Sequence, residues 1–137
     1  MAVISGMGGI LIRDIIQKGL KVAKKMDRLI LGPQRDVPAL RESLNEMGII
    51  IKDEELLIDG GLFYNILICE PGSPDTLTPE GRMFGQALID KADPALRLFL
   101  IKLIEKNVCI YSKIKNKLLE EETRIAKFVL EQKGWSV

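Results

Sequence analysis

The first nine residues constrain the fold more than any other stretch, because an apolar run stops there at a cluster of glycines. The run covers residues 2–5, and the sequence Gly6-Met7-Gly8-Gly9 follows it. Apolar residues at helical spacing begin directly afterwards. Glycine tolerates positive φ and lets another backbone or a ligand come close. The pattern therefore predicts a buried strand, a tight turn and a helix, which is the opening of a βα unit.

The same turn is the main candidate for a ligand site. In an open α/β sheet, ligands bind in the crevice beyond the carboxyl ends of the strands, where this turn would lie. The candidate residues are Ser5, Gly6, Met7, Gly8 and Gly9. A glycine turn alone is a weak motif, since close packing of a helix on a strand requires the same residues. Ligand contact and tight packing therefore both remain open.

A first helix is predicted to run from Gly9 or Ile10 to about Met26. Gly19 interrupts it, at a cost of about 1 kcal/mol relative to alanine. Spacings of three and four predict a buried face made by Ile12, Ile15, Ile16, Leu20, Ala23 and Met26. Basic residues gather near the opposite face, namely Lys18, Lys21, Lys24, Lys25 and Arg28. That face is either solvated or a contact for RNA phosphates.

A second strand and helix follow. Residues 28–31 form a short apolar run that Gly32 and Pro33 end. A helix is predicted over residues 37–47, with Pro38 in its first turn and Gly48 as its C-terminal cap. Two such units in succession predict a parallel pair of strands joined by a right-handed crossover.

The periodicity changes to that of strands after Gly48. Residues 49–58 and 62–69 read as two strands, and Asp59, Gly60 and Gly61 between them are a hairpin signal. By analogy at the level of the fold, this arrangement is the second half of a class I methyltransferase sheet, which is Rossmann-like and whose last strand turns antiparallel and inserts beside its neighbours. We therefore predict an α/β domain over residues 1–72 with the element order β-α-β-α-β-β.

Residues 73–137 are predicted to form a helical domain. A loop precedes Thr78 and Pro79, which open a short helix to about residue 91, and Asp93 and Pro94 open a longer one. Residues 115–117 are a plausible break before a last helix that ends near Gly134. The two long helices form either a coiled-coil-like hairpin or one continuous helix, since no glycine or proline forces a turn.

The composition limits the classes of function. With 47% hydrophobic and 28% charged residues, the chain reads as a soluble globular protein, and its net charge of +1 creates no bulk field for nucleic acid or an anionic membrane. The absence of histidine excludes His-based acid–base chemistry and His metal sites, and no metal is predicted. Cys69 and Cys109 are interpreted as reduced core residues. No apolar run is long enough for a membrane span and no signal peptide is visible, so a cytoplasmic location is predicted.

Five stretches together resemble one known family. They are residues 4–12, 28–33, 40–44, 61–67 and 70–72, and their order and gaps match. Over about its first half the chain resembles the bacterial tRNA (adenine-N1)-methyltransferase family TrmK. The Gly-Met-Gly-Gly turn followed by Leu-Ile carries most of the likeness, and the Phe-Tyr strand supports it. The helical tail matches in character, since that family ends in a coiled-coil helical hairpin.

The resemblance implies S-adenosylmethionine-dependent methylation of N1 of adenine 22, in the D-arm of tRNA. It implies that the glycine turn, residues 5–9, lines the junction of cofactor and base, and that Pro33 and Gln34 border the base pocket. Tyr64 would stack on the base; alternatively it is a core aromatic of the hairpin. tRNA would be held by basic faces that include Lys18, Lys21, Lys25, Lys113, Lys115 and Lys117. No residue is assigned as a catalytic acid or base.

In that family the cofactor-binding half precedes the glycine turn. This chain begins one residue before the first strand, so we expect it to be the C-terminal portion of such an enzyme and to bind S-adenosylmethionine poorly or not at all on its own. The alternative is a non-catalytic remnant that binds RNA or another protein. A bare strand over residues 2–5 at the sheet edge would also favour self-association.

Overall fold

The computed structural model describes residues 1–135, and within them four strands form one mixed sheet in the order β1-β2-β4-β3. The strands are β1 (Ala2–Met7), β2 (Leu29–Pro33), β3 (Ile49–Asp59) and β4 (Leu62–Pro71). β1 and β2 are parallel, whereas β4 pairs antiparallel with both β2 and β3. The predicted α/β class, the parallel pair and the inserted antiparallel last strand are therefore confirmed.

Three helices connect successive strands along the chain. They are α1 (Gly9–Lys18) and α2 (Leu20–Ala23) between β1 and β2, and α3 (Val37–Glu46) between β2 and β3. The helix predicted to about Met26 is interrupted at Gly19, as expected, but the interruption divides it into two helices, and α2 ends earlier, at Ala23. Glycine weakens a helix interior because it has the most backbone freedom to lose. α3 begins and ends close to the predicted residues, and Gly48 has the positive φ of a helix C-terminal cap.

The hydrophobic core between the sheet and helices α1 to α3 lies on one face of the sheet. Its fully buried side chains include Ile12, Leu31, Leu40, Leu44 and Leu67. Ile15, predicted to be buried, is 42% exposed. The buried face of α1 is made by Gly9, Ile12 and Ile16, and Ile15 lies at its margin.

The opposite face of the sheet stays exposed. Val3 pairs with Ile30, and Ile30 pairs with Ile68, so the three side chains form an apolar row across the sheet. Val3 is 61% exposed at the edge, and the other two are half-buried. An apolar row of this kind is ordinarily covered, because a sheet in an α/β protein buries both faces.

The β3–β4 hairpin projects beyond the rest of the sheet. β4 pairs with β2 only over residues 67–69, whereas its pairing with β3 continues to Asp59 and Leu62. Gly60 and Gly61 close the hairpin at positive φ, as predicted. Because β3 runs parallel to β2, the hairpin extends past the carboxyl end of β2 and stands beside the crevice there.

The rest of the described chain is helical. A single turn of π-helix (Gly81–Gly85), which we call the π-turn, leads into α4 (Gln86–Asp90). The helices α5 (Pro94–Tyr111) and α6 (Lys117–Gln132) follow. The predicted cap at Thr78 is present, since its Oγ1 accepts from the Gly81 N–H at 3.0 Å. α5 and α6 form a hairpin rather than one helix, and the Asn116 side chain caps α6 by accepting from the Leu118 N–H at 2.8 Å.

A second buried cluster lies between these helices and the projecting hairpin. It joins Leu100 and Ile104 of α5 to Ile125 and Val129 of α6, and it takes in Leu56 of β3. The division into two domains at residue 72 stays a prediction. The last two residues of the predicted helical domain, 136 and 137, lie outside the described residues. No helix within residues 1–135 has the length and apolar character of a membrane span.

Candidate functional site

The glycine turn lies at the carboxyl end of β1, next to the loop that follows β2. Gly6 is the extra residue of a bulge between Ser5 and Met7, where the pairing with β2 shifts. Its φ is +77°, a value that suits glycine. Two backbone hydrogen bonds join the turn to the neighbouring loop: Gly9 N–H to Arg35 O at 2.7 Å, and Gln34 N–H to Met7 O at 2.9 Å. The structure thus brings together the two strand ends that the sequence singled out.

The glycines of the turn have different physical roles. A Cβ on Gly9 would lie 2.5 Å from the carbonyl oxygen of Asp36, so tight packing explains this glycine. A Cβ on Gly8 would meet the Arg35 side chain at 3.0 Å. At Gly6 nothing lies within 4 Å of that position, so the positive φ requires glycine while the space beside it stays open. Tight packing therefore accounts for Gly9, whereas ligand contact beside Gly6 stays a prediction.

An open crevice of about 540 Å³ lies along this turn, and we call it the turn crevice. Gly6, Met7 and Gly8 line one side of it and Gln34 lines the other. Of the other predicted residues, Gly9 and Pro33 are buried beneath and Ser5 is exposed outside it. It lies beyond the carboxyl ends of the strands, the region of an α/β sheet where ligands bind.

The loop over residues 34–36 also forms a wall of a second cavity of about 410 Å³, which we call the interdomain cleft after the division predicted at residue 72. Its other walls come from the projecting hairpin and from α5 and α6. Besides the loop, the lining includes Phe63, Asn65, Phe99, Leu103, Lys106 and Glu122. Sequence reasoning missed these residues, because nothing in their local pattern shows that hairpin and helices face each other.

Asp36 adopts an uncommon backbone conformation between the two cavities. Its φ is +56°, which non-glycine residues rarely adopt, although aspartate does so more often than most. It precedes α3 without a side-chain capping bond. Its carbonyl oxygen accepts the first helical hydrogen bond of α3, from the Leu40 N–H at 3.1 Å, and lies close to the Gly9 backbone.

Tyr64 lies apart from both cavities. Neighbouring residues of a strand point to opposite faces, and Phe63 faces the interdomain cleft. Tyr64 therefore points to the exposed face of the sheet, where its side chain is 41% exposed. It is not the core aromatic of the alternative interpretation.

The predicted RNA-contacting lysines fall into two separate groups. Lys18 ends α1, and Lys21 and Lys25 follow in or just after α2. Because α1 starts at the turn crevice and rises about 1.5 Å per residue, these lysines lie at the far end of the sheet. The second group stands at the tip of the α5–α6 hairpin: Lys113, Lys115 and Lys117. All six are exposed, and none of them lines either cavity.

A buried ion pair lies beneath the interdomain cleft. Arg41 of α3 and Glu54 of β3 are 3% and 1% exposed and are joined by two hydrogen bonds. Asn65 donates to the same carboxylate at 3.0 Å. The Arg41 guanidinium also donates to the carbonyl oxygens of Arg82 and Met83, at 2.9 and 2.8 Å. These carbonyls belong to the π-turn, so the pair links the sheet to the helices.

The two cysteines differ in their surroundings. Cys69 is fully buried, as predicted, and burial raises the pKa of its thiol to about 12, with a further contribution from the negative charge of Glu54. Cys109 is exposed, so its prediction as a core residue was wrong. It stands on the outward face of α5 beside Val108, which is 56% exposed.

Comparison with known proteins gives one consistent family. The family model described as TrmK, tRNA (adenine(22)-N(1))-methyltransferase, matches residues 1–134. The tRNA (adenine(22)-N(1))-methyltransferase of Bacillus subtilis (strain 168) is 36% identical over 72 residues, which are 53% of this chain and 30% of that protein.

Solved structures show the same fold in longer proteins. Sp1610 of Streptococcus pneumoniae superposes with a TM-score of 0.87 at 31% identity, covering 93% of this chain and 60% of that chain. Its complex with S-adenosyl-L-methionine gives 0.82 at 32% identity, covering 93% and 59%. The B. subtilis m1A22 tRNA methyltransferase TrmK gives 0.79 at 25% identity, covering 94% and 62%. The chain thus spans about 60% of the length of these solved relatives.

Proposed function

The chain belongs to the tRNA (adenine(22)-N(1))-methyltransferase family TrmK, and we propose that it forms the RNA-handling portion of an enzyme that methylates N1 of adenine 22 in tRNA with S-adenosylmethionine. One observation carries the proposal. The glycine turn and the loop after β2 meet at an open crevice beyond the carboxyl ends of the parallel strands. That is where an α/β sheet binds its ligands.

The turn crevice fits one side of a nucleoside cofactor. The open space beside Gly6 admits a ligand close to the backbone, and a volume of about 540 Å³ lies within the usual range of ligand pockets. Gly6, Met7 and Gly8 would line the junction of S-adenosylmethionine and the target base there, whereas Gly9 lies buried beneath the crevice and Ser5 outside it. When bound, the cofactor supplies an electrophilic methyl group on its sulfonium.

The contribution of this chain to methylation is positioning. Adenine N1 is already a nucleophile, so holding it in line is worth more than acid–base assistance. A base inside a paired or stacked stem must first be taken out of the stack. Carbonyl oxygens of the glycine turn would accept a hydrogen bond from the exocyclic amine of the base, while Pro33 and Gln34 would border it. No general base is needed for this chemistry.

The two groups of exposed lysines are proposed as tRNA phosphate contacts, at the end of α2 and at the tip of the α5–α6 hairpin. Such contacts position the nucleic acid without reading its sequence. They predict binding that weakens steeply as salt is added. Tyr64, on the exposed face of the projecting hairpin, is proposed to stack on an RNA base from that side.

The remaining cofactor contacts would come from the part of the family fold that this chain does not span. The outer edge of β1 and the exposed row of Val3, Ile30 and Ile68 are the surface on which that part would pack. We therefore propose that this chain alone binds S-adenosylmethionine weakly or not at all. In the absence of that part, the β1 edge would pair with a second copy of the chain.

The test compares the chain alone with the chain fused to the segment of S. pneumoniae Sp1610 that it does not match. Calorimetry measures S-adenosylmethionine binding, and transfer of a labelled methyl group to tRNA measures activity. We expect binding and methylation of adenine 22 from the fusion alone. Tight binding by the isolated chain would contradict the division of the site, and tRNA binding by an inactive fusion would favour the non-catalytic alternative.

Two glycine variants of the fusion locate the site. Gly6→Ala and Gly60→Ala both place a side chain at positive φ, +77° and +58°, with open space beside it. Only Gly6 lines the turn crevice. We expect methylation to fall at least tenfold for Gly6→Ala and to stay near the unmodified level for Gly60→Ala.

A further inference from the structure

The turn crevice and the interdomain cleft share one wall. Gln34, Arg35 and Asp36 line both cavities, so a single loop separates them. The Arg35 side chain lies against Gly8 on one side of the loop and is 76% exposed. A chain of nucleotides that places one base in the turn crevice would reach the cleft by crossing this one loop.

The walls of the cleft have the character of a base-binding pocket. Phe63 and Phe99 meet edge to face with ring centroids 5.2 Å apart, and Leu103 extends the same apolar wall. Lys106, an exposed cation, also lines the cleft, and Arg35 lines it from the opposite loop. Proteins recognise unstacked RNA bases with this combination of an aromatic or apolar wall and cations for the phosphate.

Two polar groups inside the cleft are held in place by their neighbours. The Asn65 amide nitrogen donates to Glu54 at 3.0 Å. Glu122 accepts from the amide of the buried Asn107 at 2.7 Å. Polar groups with restrained positions can read the edge of a base, because little side-chain freedom is lost on binding.

We propose that the interdomain cleft binds a second RNA nucleotide, the one that flanks the methylated adenine. This inference rests on the proposed function, since it takes the target base to lie in the turn crevice. Its chemical basis is an apolar wall for one base with Lys106 and Arg35 on the adjoining phosphate. Enzymes that act on extruded bases commonly select their site through flanking nucleotides.

The test uses tRNA in which 2-aminopurine replaces one base at a time, at adenine 22 and at each neighbour. Its fluorescence rises when the base leaves the stack and changes again against an aromatic wall. We expect the chain to change the signal at adenine 22 and at one neighbour. An unchanged signal at both neighbours would overturn the cleft, whereas an unchanged signal at adenine 22 would count against the proposed function.

Matched variants test whether the fluorescence change at the base next to adenine 22 comes from binding in the interdomain cleft. Lys106→Ala should abolish it and weaken tRNA binding about tenfold, while Lys127→Ala, on the other side of the helical hairpin, should weaken binding less than twofold. Leu103→Trp should fill the cleft and abolish the same signal, with Leu98→Trp on the exposed side of α5 as its control. Thermal unfolding checks that each variant is folded. A neighbour's signal that survives Lys106→Ala and a folded Leu103→Trp, or equal losses for the two lysine variants, would overturn the inference.

Discussion

At the scale of residues, Arg41 and Glu54 join the sheet to the helical segment that follows it. Both are almost fully buried, and the guanidinium also binds two carbonyl oxygens of the π-turn. Gly85 ends that turn at φ +92°, and a Cβ there would lie 2.6 Å from the Glu54 carboxylate. The ion pair and the π-turn are therefore in direct contact: Arg41 binds the carbonyl oxygens of the turn, and Gly85 leaves room for the Glu54 carboxylate.

Replacing Arg41 should destabilise the fold strongly. Arg41→Met leaves the Glu54 carboxylate buried without its cation, which costs about 3–5 kcal/mol of the free energy of unfolding. The control is Arg82→Met, which removes a half-exposed ion pair with Glu42 and should cost about 1 kcal/mol or less. Urea unfolding measures both. Equal losses would show that the buried pair is no more important than the surface pair.

The two thiols should react at very different rates. At pH 8 an alkylating reagent should modify Cys109 in the folded protein and Cys69 only after unfolding, because burial raises the pKa of Cys69 to about 12. Mass spectrometry of peptides from native and urea-treated protein measures this. Modification of both cysteines at one rate in the native protein would contradict the buried position of Cys69.

The raised pKa of Cys69 also makes the free energy of unfolding depend on pH in the alkaline range. The unfolded thiol loses its proton near pH 8.5, whereas the folded thiol keeps it until about pH 12. The unfolded state therefore binds fewer protons in this window, and the contribution of Cys69 to the free energy of unfolding falls as the pH rises. Cys69→Ala should lack this part of the alkaline slope in urea unfolding, and Cys109→Ala should retain it.

At the scale of elements, the α5–α6 hairpin forms without glycine or proline in its turn. α5 ends at Tyr111 and α6 begins at Lys117, and Asn116 caps the second helix. The apolar stripes of the two helices then bury Ile104 against Ile125 and Val129. The cap determines where α6 starts, and the shared core determines that it folds back on α5.

Loss of the cap should weaken the hairpin without opening it. Asn116→Ala removes the acceptor for the Leu118 N–H, at a cost of about 1 kcal/mol. For a domain of this size the melting temperature should fall by roughly 3–5 °C. Circular dichroism measures the change, with Lys115→Ala as the neighbouring control. A fall of the same size in the control would rule out the cap as the cause.

At the scale of the whole molecule, the sheet has one covered face and one exposed face. β1 forms its open edge, and Val3 stands there 61% exposed within the apolar row. An exposed apolar strand at a sheet edge pairs readily with another chain. The surface is the same one proposed to receive the rest of the family fold.

The isolated chain should therefore self-associate in a concentration-dependent way. Val3→Lys places a charge on the edge strand and should shift the protein toward monomer. Leu118→Lys changes an apolar residue at the start of α6 that is even more exposed, at 74%, and should leave the association unchanged. Light scattering over a range of concentrations measures both. A monomer at every concentration would contradict the proposed pairing.

Much of the fold could be predicted because it depends on local patterns. The β1 turn, the two parallel strands and the hairpin at Gly60 were found from apolar runs that end at glycine or proline. Ile15 and Cys109 were placed wrongly in the core for the same reason, since an apolar residue at helical spacing shows which face it shares and not whether another element covers that face.

The sequence by itself determined the order of strands and helices in the sheet, the glycine turn and the family, because these depend on neighbours along the chain. It did not determine the π-turn or the hairpin of the last two helices. Only the tertiary structure decided that the loop over residues 34–36 lies between two cavities, and that Arg41 and Glu54 join the sheet to the π-turn. The tertiary structure alone also turned Tyr64 away from the interdomain cleft and Phe63 toward it. Residues far apart in sequence make these contacts, and their energies depend on distances and burial that no local pattern contains.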